Sequence, residues 1–131
     1  MPITYQLDKI HRIIRTHCIG NVTFEEVIDH FRVLEQEPKC PNRLHVILDL
    51  SQMASLPESG QLRVVSREIG RISERVQFEA CAVVACTDVI FGMARMFEIF
   101  AEKHFLMTRV FRALNEAENW LVSQQSPIVP G

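Results

Sequence analysis

Two kinds of apolar pattern alternate along this chain, and their alternation predicts its architecture. Ile3 to Leu7 sets Ile, Tyr and Leu against Thr and Gln, which predicts a short strand with one buried face. Ile10 to Ile19 predicts a second strand, folded back on the first through Asp8-Lys9 and ended by Gly20-Asn21. The period then changes. Phe24, Val27, Ile28, Phe31 and Leu34 recur at helical spacing, and Thr23 with Glu26 has the spacing of a capping box, so a helix is expected from Thr23 to about Glu37. Pro38 to Asn42, with two prolines, reads as a loop.

Leu44 to Leu50 is nearly all apolar, as expected of a strand covered on both faces. Pro57 to Gly60 turns the chain into a helix reaching about Val76, with Leu62, Val65, Ile69, Ile72 and Val76 on its buried stripe. Glu79 to Cys86 repeats the apolar-strand pattern. Thr87 or Asp88 caps a third helix, whose buried face is expected to carry Met93, Met96, Phe97, Phe100 and His104. Leu106 to Arg112 is a last strand. Asn115 and Glu118 repeat the cap spacing and open a short helix with Ala117, Trp120 and Leu121 inward.

The order β-β-α-β-α-β-α-β-α predicts an α/β fold. Its sheet is mostly parallel, of four to five strands, with right-handed crossovers and the first strand antiparallel at an edge. One domain is expected over residues 3–122, followed by a flexible Pro/Gly tail over 123–131.

Composition narrows the class. The chain has 131 residues, 47% hydrophobic and 23% charged, with a formal net charge of −2. That profile belongs to an ordinary globular domain and lacks the basic excess of a nucleic-acid binder. No apolar run approaches the roughly 18 residues that span a bilayer. The opening MPITYQLDKI has no secretory leader pattern, so a cytoplasmic protein is expected. The four cysteines form no C-x-x-C pair and read as reduced thiols, with Cys18, Cys81 and Cys86 as small core residues and Cys40 in a loop. The five histidines have no metal-ligand spacing. No nucleophile elbow, Walker loop, H-E-x-x-H or dinucleotide fingerprint occurs, so neither catalysis nor a cofactor is expected.

The order of elements, together with VILDLSQMASLPESGQL at the third strand and its loop, resembles the STAS domain (sulphate transporter and anti-sigma factor antagonist), in its SpoIIAA-like branch. AVVACTDVIFGMARMFEIFAEK and RVFRALNEAENWL are similar to a subgroup of small bacterial proteins of that branch. The resemblance covers about Ile3 to Val122. It implies a right-handed βα superhelix and a non-enzymatic, regulatory role exercised through a protein partner. In the anti-sigma antagonists a strand ending in D-L-S precedes a D-S-S-G loop, whose first serine is the phosphoacceptor. Here Asp49, Leu50 and Ser51 match the strand end, and Pro57, Glu58, Ser59 and Gly60 fall on the loop motif. The acceptor position holds a carboxylate, Glu58. A one-residue shift of the loop would make Ser59 the acceptor.

Each candidate residue has a plain reading beside its functional one. Asp49 stands at the C-terminal end of a central parallel strand, where open α/β sheets place ligands, or it fixes the turn that follows. Ser59 is a helix cap or a phosphosite at a helix N-terminus. Arg63, Arg67, Arg71 and Arg75, four residues apart, form a solvated face or a docking strip for an acidic partner. Phe91, Arg95 and Ile99 lie off the Met/Phe stripe with Glu98 and Glu102, as ordinary scattered surface hydrophobics among charges or as a surface for a second copy or a ligand. Two readings of function follow. In the first, the chain is an interaction module that offers Ser51 to Gly60 and the helix Gln61 to Val76 to a protein partner and pairs as a homodimer. In the alternative it carries or senses a small apolar ligand or lipid, held under the third helix, Val89 to His104.

Overall fold

In the computed structural model, residues 3–36, 43–54, 59–73 and 77–124 are described. Five strands and four helices follow the expected order: β1 Ile3–Asp8, β2 Ile13–Gly20, α1 Phe24–Glu35, β3 Arg43–Met53, α2 Ser59–Ile72, β4 Gln77–Val84, α3 Asp88–Ala101, β5 Met107–Phe111 and α4 Leu114–Gln124. The strands form one sheet in the spatial order β1-β2-β3-β4-β5. β1 pairs antiparallel with β2, and all the other pairs are parallel.

Local chemistry fixes the turns. Asp8 ends β1, and its Oδ1 accepts hydrogen bonds from the amides of Ile10 and His11, both at 3.1 Å. This Asx turn leaves Ile10 89% exposed, so β2 begins three residues later than the apolar pattern predicts. Gly20, at φ +69°, closes β2 in the left-handed region that favours glycine. Thr23 caps α1 as expected: its hydroxyl accepts from the Glu26 amide at 3.2 Å, and Glu26 Oε1 accepts from the Thr23 amide at 3.0 Å. Thr23→Ala removes half of this reciprocal cap and should cost about 1 kcal/mol. Urea unfolding monitored by circular dichroism would show it as a lower midpoint at unchanged slope.

The sheet's two faces differ sharply. On the first, β residues Ile14, Cys18, Leu44, Leu50, Cys81, Val83 and Val110 meet α1, α2 and α3, which supply Leu34, Val65, Ile69, Ile72, Ile90, Ala94 and Phe97. All three crossovers therefore place their helices on one side, as crossovers of a single hand must. On the second face α4 lies alone among the described residues, with Ala117 and Leu121 fully buried against Ile13, Ile47, Ala80, Ala82 and Val84. Alanines on both sides let this helix approach closely. Trp120 flanks it, 5.5 Å from Phe111 between ring centroids.

Several sequence expectations shift here. The stripe of α3 is centred on Ile90, Ala94 and Phe97, so Met96, about 125° round the helix from that centre, is 40% exposed. Cys86 is exposed just beyond β4, where its thiol lies 3.4 Å from the Arg112 carbonyl. His104 lies past the end of α3 against α2; a Cβ at Gly70 would come within 2.6 Å of its ring. Asn115 falls inside α4, which starts at Leu114, so the predicted second capping box does not form. Glu118 instead receives two hydrogen bonds from the Arg15 guanidinium, at 2.9 and 3.2 Å, tying α4 to β2. That helix continues to Gln124, two residues beyond the expected domain end. Cys40, Leu62 as a side chain, Val76 and the residues after 124 lie outside the described part.

Candidate functional site

Asp49 sits where β3 bulges. Between the pairs His17↔Asp49 and Ile19↔Gln52, β2 contributes Cys18 alone while β3 contributes Leu50 and Ser51. A bulge of this kind leaves an amide outside the ladder. Asp49 takes up that amide: its Oδ1 accepts from the Ser51 N–H at 3.0 Å, while its Oδ2 lies 3.1 Å from His17 Nδ1. The carboxylate thus braces the end of the strand, and a histidine from the neighbouring strand completes the arrangement. His17 is 32 residues away in sequence and reaches Asp49 only through the parallel register. Cys18 points to the opposite face, where burial pushes its thiol up to about 12, so it offers no thiolate to this pair.

The other expected site residues are scattered. Ser51 is half-buried beside Asp49, and Ser59 and Gly60 open α2 by their backbone. Glu58, Arg75 and the Ser59 side chain lie outside the described residues. On α2 the arginines do not act as one strip. Arg71 is bound to Glu68 at 3.0 Å and to Glu35 of α1, which cancels its charge and pins α1 to α2. Arg63 lies 5.8 Å from the centroid of the Phe100 ring, and Arg67 is exposed. On α3, Phe91 is half-buried against the core with the Arg112 guanidinium 4.1 Å above its ring, so it is no free apolar surface. Arg95 and Ile99 do point outward, Ile99 being 68% exposed.

A cavity lies where the sequence gives only an apolar core. Between the sheet and α1–α3 is a space of about 110 Å³. Its walls include Val46 and Leu48 of the central strand, Val65 and Ile69 of α2, and Met93, Ala94 and Phe97 of α3. Val46 and Leu48 keep accessible surface in mid-sheet, as do Val27, Phe31 and Met93 on the helices facing them. Of the residues expected on the buried face of the third helix, Met93 and Phe97 line it; Met96, Phe100 and His104 are absent from its wall. The lining has one polar pair. Thr16 Oγ1 and His30 Nε2 are hydrogen-bonded at 3.3 Å, and the His30 ring meets Tyr5 edge-on at 5.5 Å. Burial pulls His30 down to about 4, so its imidazole is neutral at physiological pH.

His30 and Thr16 were legible only as anomalies. His30 shares the helical stripe of Val27, Phe31 and Leu34, and Thr16 alternates with Ile14 and Cys18. Another histidine, His45, is buried at the other end of β3, its Nε2 3.2 Å from Glu79; burial lowers its pKa and the Glu79 carboxylate raises it, with burial the larger effect.

No protein-family profile matches the chain, and no curated protein matches it in sequence. Its architecture does have a counterpart. An uncharacterized protein from Shewanella loihica, of the DUF3478 family and with a SpoIIAA-like fold, superposes with a TM-score of 0.61. The match covers 91% of each chain at 13% identity. At that identity the likeness speaks for the fold alone: the chain has a SpoIIAA-like, STAS-type α/β fold. Among the described residues no helix is long and apolar enough to cross a membrane.

Proposed function

We propose that this protein is a non-enzymatic, STAS-like binding module whose ligand is a compact, uncharged, apolar molecule held between the sheet and α1–α3. The observation that carries this reading is the cavity of about 110 Å³ with apolar walls. An engineered apolar cavity of roughly 150 Å³ stays dry and takes up benzene or xenon, so a space of this order accepts a single-ring molecule. The chemistry of the wall selects further. Thr16 and His30 satisfy one another, and His30 is neutral, so an ionised head group would meet no counter-charge and pay a heavy desolvation cost.

The reading extends to how occupancy is felt outside. Val65 and Ile69 of α2 line the cavity, while Arg63 and Arg67 of the same helix face outward. We take α2 and the segment Ser51 to Gly60 as the partner-facing surface, with the ligand bracing α2 from within. Asp49 then serves to fix the start of that segment.

Thermal unfolding in the presence of benzene, toluene or indole tests the ligand. Concentrations ten- to a hundredfold above Kd should stabilise the fold by about 1–3 kcal/mol. Ala94, fully buried in the wall, gives the control. Ala94→Leu should fill the space, raise the melting temperature on its own and abolish the shift. A wild-type protein that no apolar probe stabilises, or an Ala94→Leu variant that still responds, would sink the proposal.

A further inference from the structure

The outer edge of β5 is built to be covered. β5 closes one side of the sheet, and no strand follows it in the pairing order of the described residues. A groove of about 420 Å³ runs along it, walled by Glu98 and Ile99 of α3, by Glu102 just past its end, by Leu106, Met107 and Arg109, and by Trp120 of α4. Its apolar members stand in the open: Leu106 is 69% exposed and Met107 47%, beside Ile99. Two polar atoms of the same lining, Glu98 Oε2 and Thr108 Oγ1, are shut off from solvent without a hydrogen-bond partner among the described residues. Unsatisfied polar atoms beside exposed apolar side chains are costly in a finished surface. The opposite edge looks different. β1 turns Ile3, Tyr5 and Leu7 into the core and shows Thr4 and Gln6 to solvent.

The main chain of β5 is also available. The Phe111 carbonyl is spent on the Ala85 amide, at 2.9 Å, towards β4. Peptide groups alternate in direction along a strand, so Thr108 and Val110 turn theirs outward. An open edge of this kind is a template for another strand.

We propose that a second copy of this chain occupies the groove, the two β5 strands pairing antiparallel about a two-fold axis at Thr108. A two-fold interface must be self-complementary, and this groove carries both signs of charge. Glu98 and Glu102 lie at the C-terminal end of α3, beside the start of β5, and Arg109 follows Thr108. Pairing centred on Thr108 sets Arg109 of one copy opposite Met107 of the other, at the end of β5 that follows the acidic end of α3. It also brings the two Thr108 side chains together on one face and covers Ile99, Leu106 and Met107. A basic extended peptide would meet Glu98 and Glu102 but offer no acid to Arg109, whereas a second copy supplies both signs.

Sedimentation equilibrium of the full chain at tens of micromolar tests this. The 15.1 kDa chain should show twice its own mass. Met107→Glu and Leu106→Glu, at exposed positions, should each raise the dimer dissociation constant at least tenfold and leave the circular dichroism spectrum unchanged. Orientation has its own readout. Thr108→Cys, made with Cys40→Ser and Cys86→Ser, should form a disulfide dimer on mild oxidation, since directly opposed residues in antiparallel strands fall within disulfide reach. A wild-type monomer at these concentrations would overturn the proposal. So would a dimer indifferent to both glutamates, or a monomer whose groove takes a basic extended peptide instead.

Discussion

Leu121→Ala should cost about 3–4 kcal/mol, lowering the melting temperature by about 11–15 °C. Leu121 is fully buried where α4 meets the sheet, among Ile47, Ala82, Val84 and Ala117. The alanines that let α4 come so close have no rotamers with which to move into a void, so the truncation leaves most of its volume empty. Cavity cost rises with the volume left behind, which puts this site towards the upper part of the range for leucine truncations. Urea unfolding should show the loss at an unchanged slope. A cost under about 1 kcal/mol would mean that α4 is loosely attached, contrary to the packing described.

Acid should destabilise the fold well before its carboxylates titrate. His30 is held at about 4 from an ordinary value of 6.5 by burial. Between those two values the unfolded chain binds a proton that the folded chain refuses. Stability attributable to this group is therefore complete above pH 6.5 and falls as the pH drops towards 4. The full shift corresponds to about 3 kcal/mol, and residual solvent contact at a half-buried ring brings the expectation to about 2–3 kcal/mol. His45, also lowered by burial, adds loss of the same sign. Asp8 is lowered chiefly by the hydrogen bond from the His11 amide, and its contribution is lost at lower pH, as its carboxylate protonates. His30→Gln keeps a neutral hydrogen-bonding group beside Thr16 and should flatten the pH dependence between 6.5 and 4. Equal slopes for wild type and variant across that range would show that His30 is not buried as described.

The sequence revealed the fold because the fold is written in local periodicities. The alternation of β1, the capping box at Thr23 and the apolar runs of β3 and β4 each follow from neighbours a few residues apart. Errors appear where a distant partner decides. Glu118 looks like a capping residue until Arg15, 103 positions earlier, claims it. Met96 fits the α3 stripe by residue type, but Ile90 and Ala94 set the rotation of the helix. The Asp49–His17 contact depends on strand register, which no local pattern encodes. The cavity was legible least of all. A stripe of Val, Leu, Met and Phe reads the same whether the volumes close on one another or leave a space among them. Only His30, a polar residue on an apolar helix face, marked the place.

The central claim, that the space between the sheet and α1–α3 is a ligand site, is tested most directly by methyl NMR under xenon pressure. Xenon, being small, uncharged and apolar, reports on the space without demanding a particular shape. Saturable shifts should be confined to the methyls of Val46, Val65, Val83 and Ala94, all in the wall, and leave Ala82, Ala117 and Leu121 across the sheet unmoved. Shifts that do not saturate, or that spread equally over both faces, would contradict it.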